Sequence, residues 1–264
     1  MADDFAPGTV WLVGGGPGDP ELLTGKALRL IQRADIVFHD ALVGPQILGL
    51  IPVGTELVSV GKRAGRHSKD QSTIDALLVT AAGRGLRVVR LKGGDPSLFG
   101  RSAEEIAALR AAGHPVHVCP GITAASAAAA SAGISLSLRG VARDVRFVTA
   151  HSRSGATLDL DWAALANSGS TLAFYMGRGA AEKVASALIA AGMDCATPVL
   201  IACNVSLPGE HRLTTRLDLL GIATKSFCAD APTIILVGQS VKPLNGKLTD
   251  QKLVRREISP HIGV

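Results

Sequence analysis

The chain has 264 residues, enough for one large domain or two of about 100–150 residues. It is rich in Ala, Gly, Val and Leu and poor in aromatics, an ordinary α/β composition with ample apolar material for a core. The formal net charge is +5, yet no basic run of five or more is interleaved with aromatics. That argues against nucleic acid and suits a small polyanionic ligand.

No apolar stretch reaches the ~18 residues of a membrane span without a charge or turn breaker, so none is expected. The opening "MADDFAPGTV" is acidic and lacks the basic and apolar regions of a signal peptide, which leads to the expectation of a cytoplasmic protein. The four cysteines are Cys119, Cys195, Cys203 and Cys228. None forms a CxxC or a metal-ligand spacing with a nearby His, so no metal site and four reduced, mostly buried thiols are expected.

Taken in chain order, short β-rich runs alternate with helical patterns. "TVWLVG" reads as a first buried strand, "ELLTGKALRLIQRA" has apolar residues at helical spacing, and "DIVFHD", "ELVSVG" and "RVVRLKGGD" read as further strands. "DQSTIDALLVTAAGRG" opens on Asp70 as an N-cap and ends in Gly. "PVHVCPG" is another strand and "ITAASAAAASAG" a small-residue helix. Strands alternating with helices imply a mostly parallel sheet with right-handed crossovers.

The periodicity breaks over "SLSLRGVARD", Ser135 to Asp144, and then restarts. "VRFVTAH", "STLAFYMG", "TPVLIACN", "EHRLTTRL" and "PTIILVG" read as strands, with a helix through "GAAEKVASALIAAG". "EHRLTTRL" alternates and precedes another strand, so part of the second sheet is expected to be antiparallel. The expected organisation is a first α/β domain over 8–137, a second over 141–241 with a mixed sheet, and a peripheral polar tail over 242–264.

Two glycine loops follow strands. "GGGPGDPELLTGKAL" suggests a dinucleotide loop, but Pro17 sits inside it and Asp19 points a carboxylate toward where a pyrophosphate would lie. "LKGGDP" lacks the GK[ST] ending of a phosphate loop. An Asp beside glycines repels phosphate but attracts a cation or accepts from hydroxyls and amines. Paired glycines let a ligand approach the backbone closely. S-adenosylmethionine offers a sulfonium, a ribose and an α-amino group, and fits that chemistry.

The segments "VGGGPGDPELLTGKAL", "ADIVFHDALV", "VGKRAGRHSKDQSTIDALL", "RVVRLKGGDPSLFGRSAEE", "CPGITAASAAAASAGI" and "TLAFYMG" occur in this order between about Val10 and Val237. Together they strongly resemble the uroporphyrinogen-III C-methyltransferases of the tetrapyrrole methylase family. The resemblance implies two α/β domains, not of the common Rossmann-type methyltransferase fold, with the active site in the cleft between them. It implies transfer of methyl groups from S-adenosyl-L-methionine to C2 and C7 of uroporphyrinogen III. The products are precorrin-2, reached through precorrin-1, and S-adenosyl-L-homocysteine. Homodimers are the family norm, and sirohaem, cobalamin or haem d1 synthesis would be served.

By the same resemblance, cofactor contacts fall on Pro17, Gly93, Gly94, Asp95, Leu98, Thr123, Ala124, Met176 and Val205. Asp95 would pair with the cofactor amine or hydroxyls. Thr123 and Ala124 start a helix whose free N–H groups can meet a carboxylate. Asp40 matches the proton acceptor and Lys62 the proton donor that carbon methylation of a pyrrole requires. The substrate bears eight carboxylates, and Arg101, Glu104 and Arg139 match groups placed near it. Arg63 and Arg66 also lie in motif segments.

The chain departs from the family pattern in four places: His39 for the usual Tyr, Ser102-Ala103 for Gly-Gly, Ser137-Leu138 for Thr-His, and Cys203-Asn204-Val205 for Glu-Asn-Gly. Valine cannot take positive φ cheaply, so either the backbone shifts at Val205 or the cofactor sits differently. The alternatives weighed beside the main reading are a methylase of a later precorrin, a non-catalytic tetrapyrrole- or cofactor-binding protein, and a nicotinamide oxidoreductase.

Overall fold

The computed structural model describes residues 4–61, 70–150, 159–166 and 169–242. The chain divides into two compact units, Met1–Ala127 and Ala128–Val264.

The first unit is built on five strands: β1 Val10–Gly14, β2 Ile36–His39, β3 Glu56–Ser59, β4 Val88–Lys92 and β5 Val116–Cys119. All pair in parallel, in the order β3-β2-β4-β1-β5. The three inner strands are buried along their whole length. That is why "VWLVG" and "IVFH" read as continuous apolar runs rather than alternating ones. Side chains still alternate between faces. Val10 and Leu12 join one core with Phe38, Leu78 and Leu109; Trp11 and Val13 join the other with Leu30, Val37 and Leu91.

Helices cover both faces. Helix α1, Gly25–Arg33, is capped by Thr24, whose Oγ1 accepts the Ala27 N–H at 3.0 Å, and it buries Ala27, Leu30 and Ile31. It starts later than the periodicity suggested: Pro20–Leu22 form a separate 3₁₀ turn capped by Asp19. A short α2, Pro45–Leu48, follows β2. Helix α3, Gln71–Gly83, opens as expected on Asp70, which accepts the Thr73 N–H at 2.8 Å. Helix α4, Ser102–Ala111, packs beside α3. Helix α5, Ala124–Ala132, carries the small-residue run and spans the division between the units.

The second unit holds β6 Asp144–Thr149, β7 Ser170–Tyr175, β8 Pro198–Cys203, β9 His211–Arg216 and β10 Thr233–Val237, in the order β6-β7-β10-β8-β9. The β6–β7 pair is parallel and the other three pairs are antiparallel, so the sheet is mixed. A short α6, Trp162–Leu165, precedes β7. Helices α7, Ala181–Ala190, and α8, Leu220–Phe227, pack together and against a core that includes Leu172, Phe174, Ile201 and Ile235.

The cysteine expectation needs correction. Cys203, ending β8, and Cys228, capping α8, meet inside this core and form a disulfide, with Cα atoms 6.0 Å apart. Cys119 is a buried free thiol and Cys195 an exposed one. The tail placed over 242–264 lies, beyond Lys242, outside the described residues. No described helix is long and apolar enough to cross a membrane.

Candidate active site

In the first unit the candidate residues gather at one edge of the sheet, on loops that leave the carboxyl ends of the strands. Pro17 follows β1, Asp40 follows β2, the stretch Gly93 to Leu98 follows β4, and Thr123 follows β5. That edge is where open parallel sheets place ligands.

Backbone hydrogen bonds lace these loops together. Gly15 donates to the Lys92 carbonyl at 2.7 Å, and Gly16 and Gly94 exchange N–H groups at 3.2 and 2.7 Å. The approach is so close that a methyl group on Gly14 would lie 2.6 Å from the Gly121 Cα. Gly94 has φ +67°, and its Cβ direction opens onto empty space. The glycines therefore serve two ends: some let three loops touch, and Gly94 leaves an open backbone face.

Asp95 supports the same arrangement. Its Oδ1 accepts the Ser97 N–H at 2.7 Å and its Oδ2 the Gly121 N–H at 3.0 Å. The carboxylate thus braces two loops from within, leaving its remaining lone pairs for a ligand. Half-buried Leu98 closes the turn by donating to the Asp95 carbonyl. Thr123 caps α5, its Oγ1 accepting the Ser126 N–H at 3.2 Å, with Ala124 half-buried beside it.

Asp40 belongs to a buried chain of charges that the sequence reading did not identify. Arg90 Nη2 stands 2.5 Å from Asp40 Oδ1, and Arg90 Nε donates to Glu105 Oε1 at 2.9 Å. Lys92 Nζ donates to Glu105 Oε2 at 2.7 Å. Arg90, Lys92 and Glu105 are buried, whereas the Asp40 side chain is 30% exposed. Burial, and then the neighbouring Arg90 charge, press the Lys92 ammonium below the usual lysine range against the pull of Glu105. The available signal was two cations at i and i+2 in a strand otherwise wholly apolar. His39 is buried and its Nδ1–H donates to the Asp40 carbonyl at 3.1 Å. Lys62, Arg63 and Arg66 lie outside the described residues.

Arg101 sits at the start of α4 in a left-handed conformation, φ +55°, and makes a two-pronged pair with Glu104 at 2.8 and 2.6 Å. The hydrogen bond to Glu104 lifts the Arg101 guanidinium further above its ordinary value. Both side chains are about half exposed, so the pair faces solvent. Ser102, in place of the family glycine, is buried and its Oγ donates to the Pro96 carbonyl at 2.5 Å.

In the second unit Met176, just after β7, has φ +55° and is 51% exposed. Arg139 is exposed. Val205 is buried, and its neighbours rather than Val205 itself take the left-handed conformation: Asn204 has φ +51° and Ser206 φ +62°. The turn is held by the Glu210 carboxylate, which accepts the Ser206 N–H at 2.6 Å and the Ser131 hydroxyl. Of the six left-handed non-glycine residues described, Phe99, Arg101 and Met176 fall in the motif segments and Asn204 in the Cys203-Asn204-Val205 stretch, and strained backbone commonly marks function.

A parallel and a mixed sheet in separate units, with laced glycine loops and an ion-paired carboxylate at strand ends, define an α/β protein of the ligand-binding open-sheet kind. The chain belongs to the Tetrapyrrole (Corrin/Porphyrin) Methylases, whose family model matches residues 9–220. It is 46% identical over 250 residues to a uroporphyrinogen-III C-methyltransferase of Paracoccus denitrificans, covering 95% of this chain and 87% of that one. It is 46% identical over 238 residues to a siroheme synthase of Pseudomonas aeruginosa, of whose length it spans 51%. Among solved structures, a Thermus thermophilus uroporphyrin-III C-methyltransferase complexed with S-adenosyl homocysteine matches with TM-score 0.75 and 38% identity, over 88% of this chain and 98% of that one. A cobalt precorrin-4 methyltransferase of cobalamin biosynthesis matches with TM-score 0.80 and 28% identity, over 89% and 97%.

Proposed function

We propose that the protein uses S-adenosyl-L-methionine to methylate uroporphyrinogen III at C2 and C7, giving precorrin-2 through precorrin-1 and releasing S-adenosyl-L-homocysteine. The observation that carries this reading is the 46% identity to the Paracoccus enzyme across 95% of the chain. The strand-end loops fit the cofactor: Gly94 offers an open backbone face, and Asp95 is an acid beside it rather than a phosphate-binding lysine.

The bound cofactor supplies a methyl group on a sulfonium, which an electron-rich pyrrole carbon attacks as the carbon–sulfur bond breaks. Gly93, Gly94, Asp95 and Leu98 hold the cofactor from the first unit, with Pro17, Thr123 and Ala124 shaping the neighbouring loops. By the resemblance, Met176 and Val205 are cofactor contacts as well. The methylated ring then carries positive charge, and a proton leaves the adjoining bridging carbon for the Asp40 carboxylate. Lys62 matches the family's proton donor through the resemblance of "GKRAG", and the methyl transfer and proton loss written here draw no proton from it. Arg101 and Arg139 meet the substrate's acidic side chains, where a guanidinium fork suits a carboxylate, and Glu104 holds the Arg101 guanidinium beside them.

The test is incubation with uroporphyrinogen III and S-adenosylmethionine, reading product mass. Addition of two methyl groups is expected; no methylated product from folded, cofactor-binding protein would overturn the reading. A second reading, methylation of a later precorrin, is favoured by the Ser137-Leu138 departure and by the cobalt precorrin-4 methyltransferase neighbour. Turnover of uroporphyrinogen III would dismiss it. The proposal includes a homodimer working in the cytoplasm, with functional domains over 8–137 and 141–241.

A further inference from the structure

The "EE" that closes the motif "FGRSAEE" is split by the helix that carries it. Glu104 faces solvent with Arg101, while Glu105, one residue on, is fully buried. Glu105 therefore has no access to a ligand and can act only through other side chains. Its two oxygens are divided between Arg90 and Lys92, which stand at i and i+2 on one face of β4. Gly100 passes close by: a methyl group there would lie 2.5 Å from the Pro96 carbonyl oxygen and 3.0 Å from the Lys92 Cε.

Arg90 is fixed at three points: Glu105 Oε1 at 2.9 Å, the Leu91 carbonyl at 3.2 Å and Asp40 Oδ1 at 2.5 Å. Of the four side chains in the network only Asp40 is appreciably open to solvent. Buried ion pairs are a poor source of stability, because apolar residues of similar volume often serve as well. Four charges beneath the strand ends thus call for another explanation.

We infer that Glu105 is a positioning residue for the proton acceptor: it fixes the Arg90 guanidinium, which in turn aims the Asp40 carboxylate. Lys92 balances the charge and keeps the second Glu105 oxygen from turning toward Arg90. The inference rests on the reading of Asp40 as the acceptor.

The test compares three variants of the full chain with the unaltered protein: Asp40→Asn, Glu105→Asp, and a charge-free variant with Arg90, Lys92 and Glu105 all replaced by Met. The readouts are thermal melting, S-adenosylhomocysteine affinity, and kcat and KM for uroporphyrinogen III. The charge-free variant should melt cooperatively and bind S-adenosylhomocysteine within about threefold, with KM little changed. Its kcat should fall at least about tenfold, as expected when an acid–base group is misaligned. A folded charge-free variant with kcat within about twofold would overturn the inference. Should it fail to fold, Glu105→Asp decides: the shorter acid keeps its charge but cannot span both cations, so kcat should fall at unchanged cofactor affinity, and normal kcat overturns the proposal. Full activity in Asp40→Asn would instead show that the acceptor was misassigned. An inactive Asp40→Asn beside active Glu105 variants would fault only the positioning role.

Discussion

Asp95 and Gly121, 26 residues apart, are joined by a 3.0 Å hydrogen bond from the Gly121 N–H to the Asp95 carboxylate. The same carboxylate holds the Ser97 N–H, so one side chain braces the loops after β4 and β5. Hydrogen bonds to a charged acceptor contribute about 1.5–3 kcal/mol each. Asp95→Ala should weaken S-adenosylhomocysteine binding more than tenfold and lower the melting temperature together. Asp95→Asn keeps one acceptor oxygen and should fall between. Calorimetric titration beside a melting curve checks both; a change in affinity with no change in melting would show that Asp95 acts on the cofactor alone.

Gly121 is constrained from the other side. A methyl group there would lie 2.2 Å from the Gly94 carbonyl oxygen and 2.9 Å from the Gly14 Cα, both backbone atoms with no rotamer to move. Gly121→Ala should cost about 1–3 kcal/mol by overpacking and abolish measurable cofactor binding as the loops part. Gly25→Ala, with nothing within 4 Å of the added methyl, should be neutral to slightly stabilising. Denaturant unfolding of the two variants side by side separates crowding from any general effect of losing a glycine.

Much of the fold was legible because the relevant signals are local. The apolar runs of β1 and β2, the Asp70 cap of α3 and the alternation of β9 each follow from a few adjacent residues. The late start of α1 was not legible, since Thr24 as well as Asp19 can cap and only the packing of Ala27, Leu30 and Ile31 decides between them. Helix α8 escaped notice because "LGIATKSF" is short and buries little beyond Leu220 and Thr224. The site residues were found by motif, but their physics was not. The motif marks Asp95 as a ligand group, whereas its bracing of Gly121 depends on a contact across 26 residues. The Arg90–Glu105 pair needs a helix folded back on its strand, and the Cys203–Cys228 bridge joins a strand end to a helix cap.

Val205 stands where the family has glycine, yet its neighbours absorb the left-handed turn and Val205 is buried. Restoring the family residue should therefore harm rather than help. Val205→Gly loses buried apolar surface and adds chain freedom, and should destabilise by about 1–3 kcal/mol. Glu210→Ala removes the acceptor for the Ser206 N–H and should loosen the same turn, weakening S-adenosylhomocysteine binding several-fold, whereas Glu210→Gln retains an acceptor and should recover most of it. Affinity measured across the three variants checks the ordering.

Arg101 and Glu104 form a surface pair, worth at most about 1 kcal/mol to the fold. Arg101→Lys should leave melting and cofactor affinity unchanged. It should raise KM for the tetrapyrrole about tenfold, because an ammonium cannot reproduce the two parallel hydrogen bonds of a guanidinium. Steady-state kinetics with the substrate varied at saturating cofactor reads this directly.

At the far end of the same strands, Asp35 and Arg87 fasten the start of β2 to the start of β4. Arg87 donates its backbone N–H to Asp35 Oδ2 at 2.7 Å and its Nη2 to Oδ1 at 2.7 Å. The side-chain hydrogen bond from Arg87, helped by its backbone N–H and its charge, holds the Asp35 carboxyl below the usual carboxylate range against the opposing effect of burial. A carboxyl depressed in the folded state contributes stability that is present above its unfolded value of about 4 and lost as pH falls through its folded value. Both side chains are about a third exposed, so solvent screening limits the contribution to about 1 kcal/mol or less. Asp35→Asn should thus be slightly less stable at neutral pH, and the gap should close as pH falls below about 4. The pair lies away from the strand ends that carry the candidate site, so kcat at neutral pH should not change. Urea unfolding of both proteins at several pH values, with one activity assay at neutral pH, tests the sign, the window and the separation from catalysis.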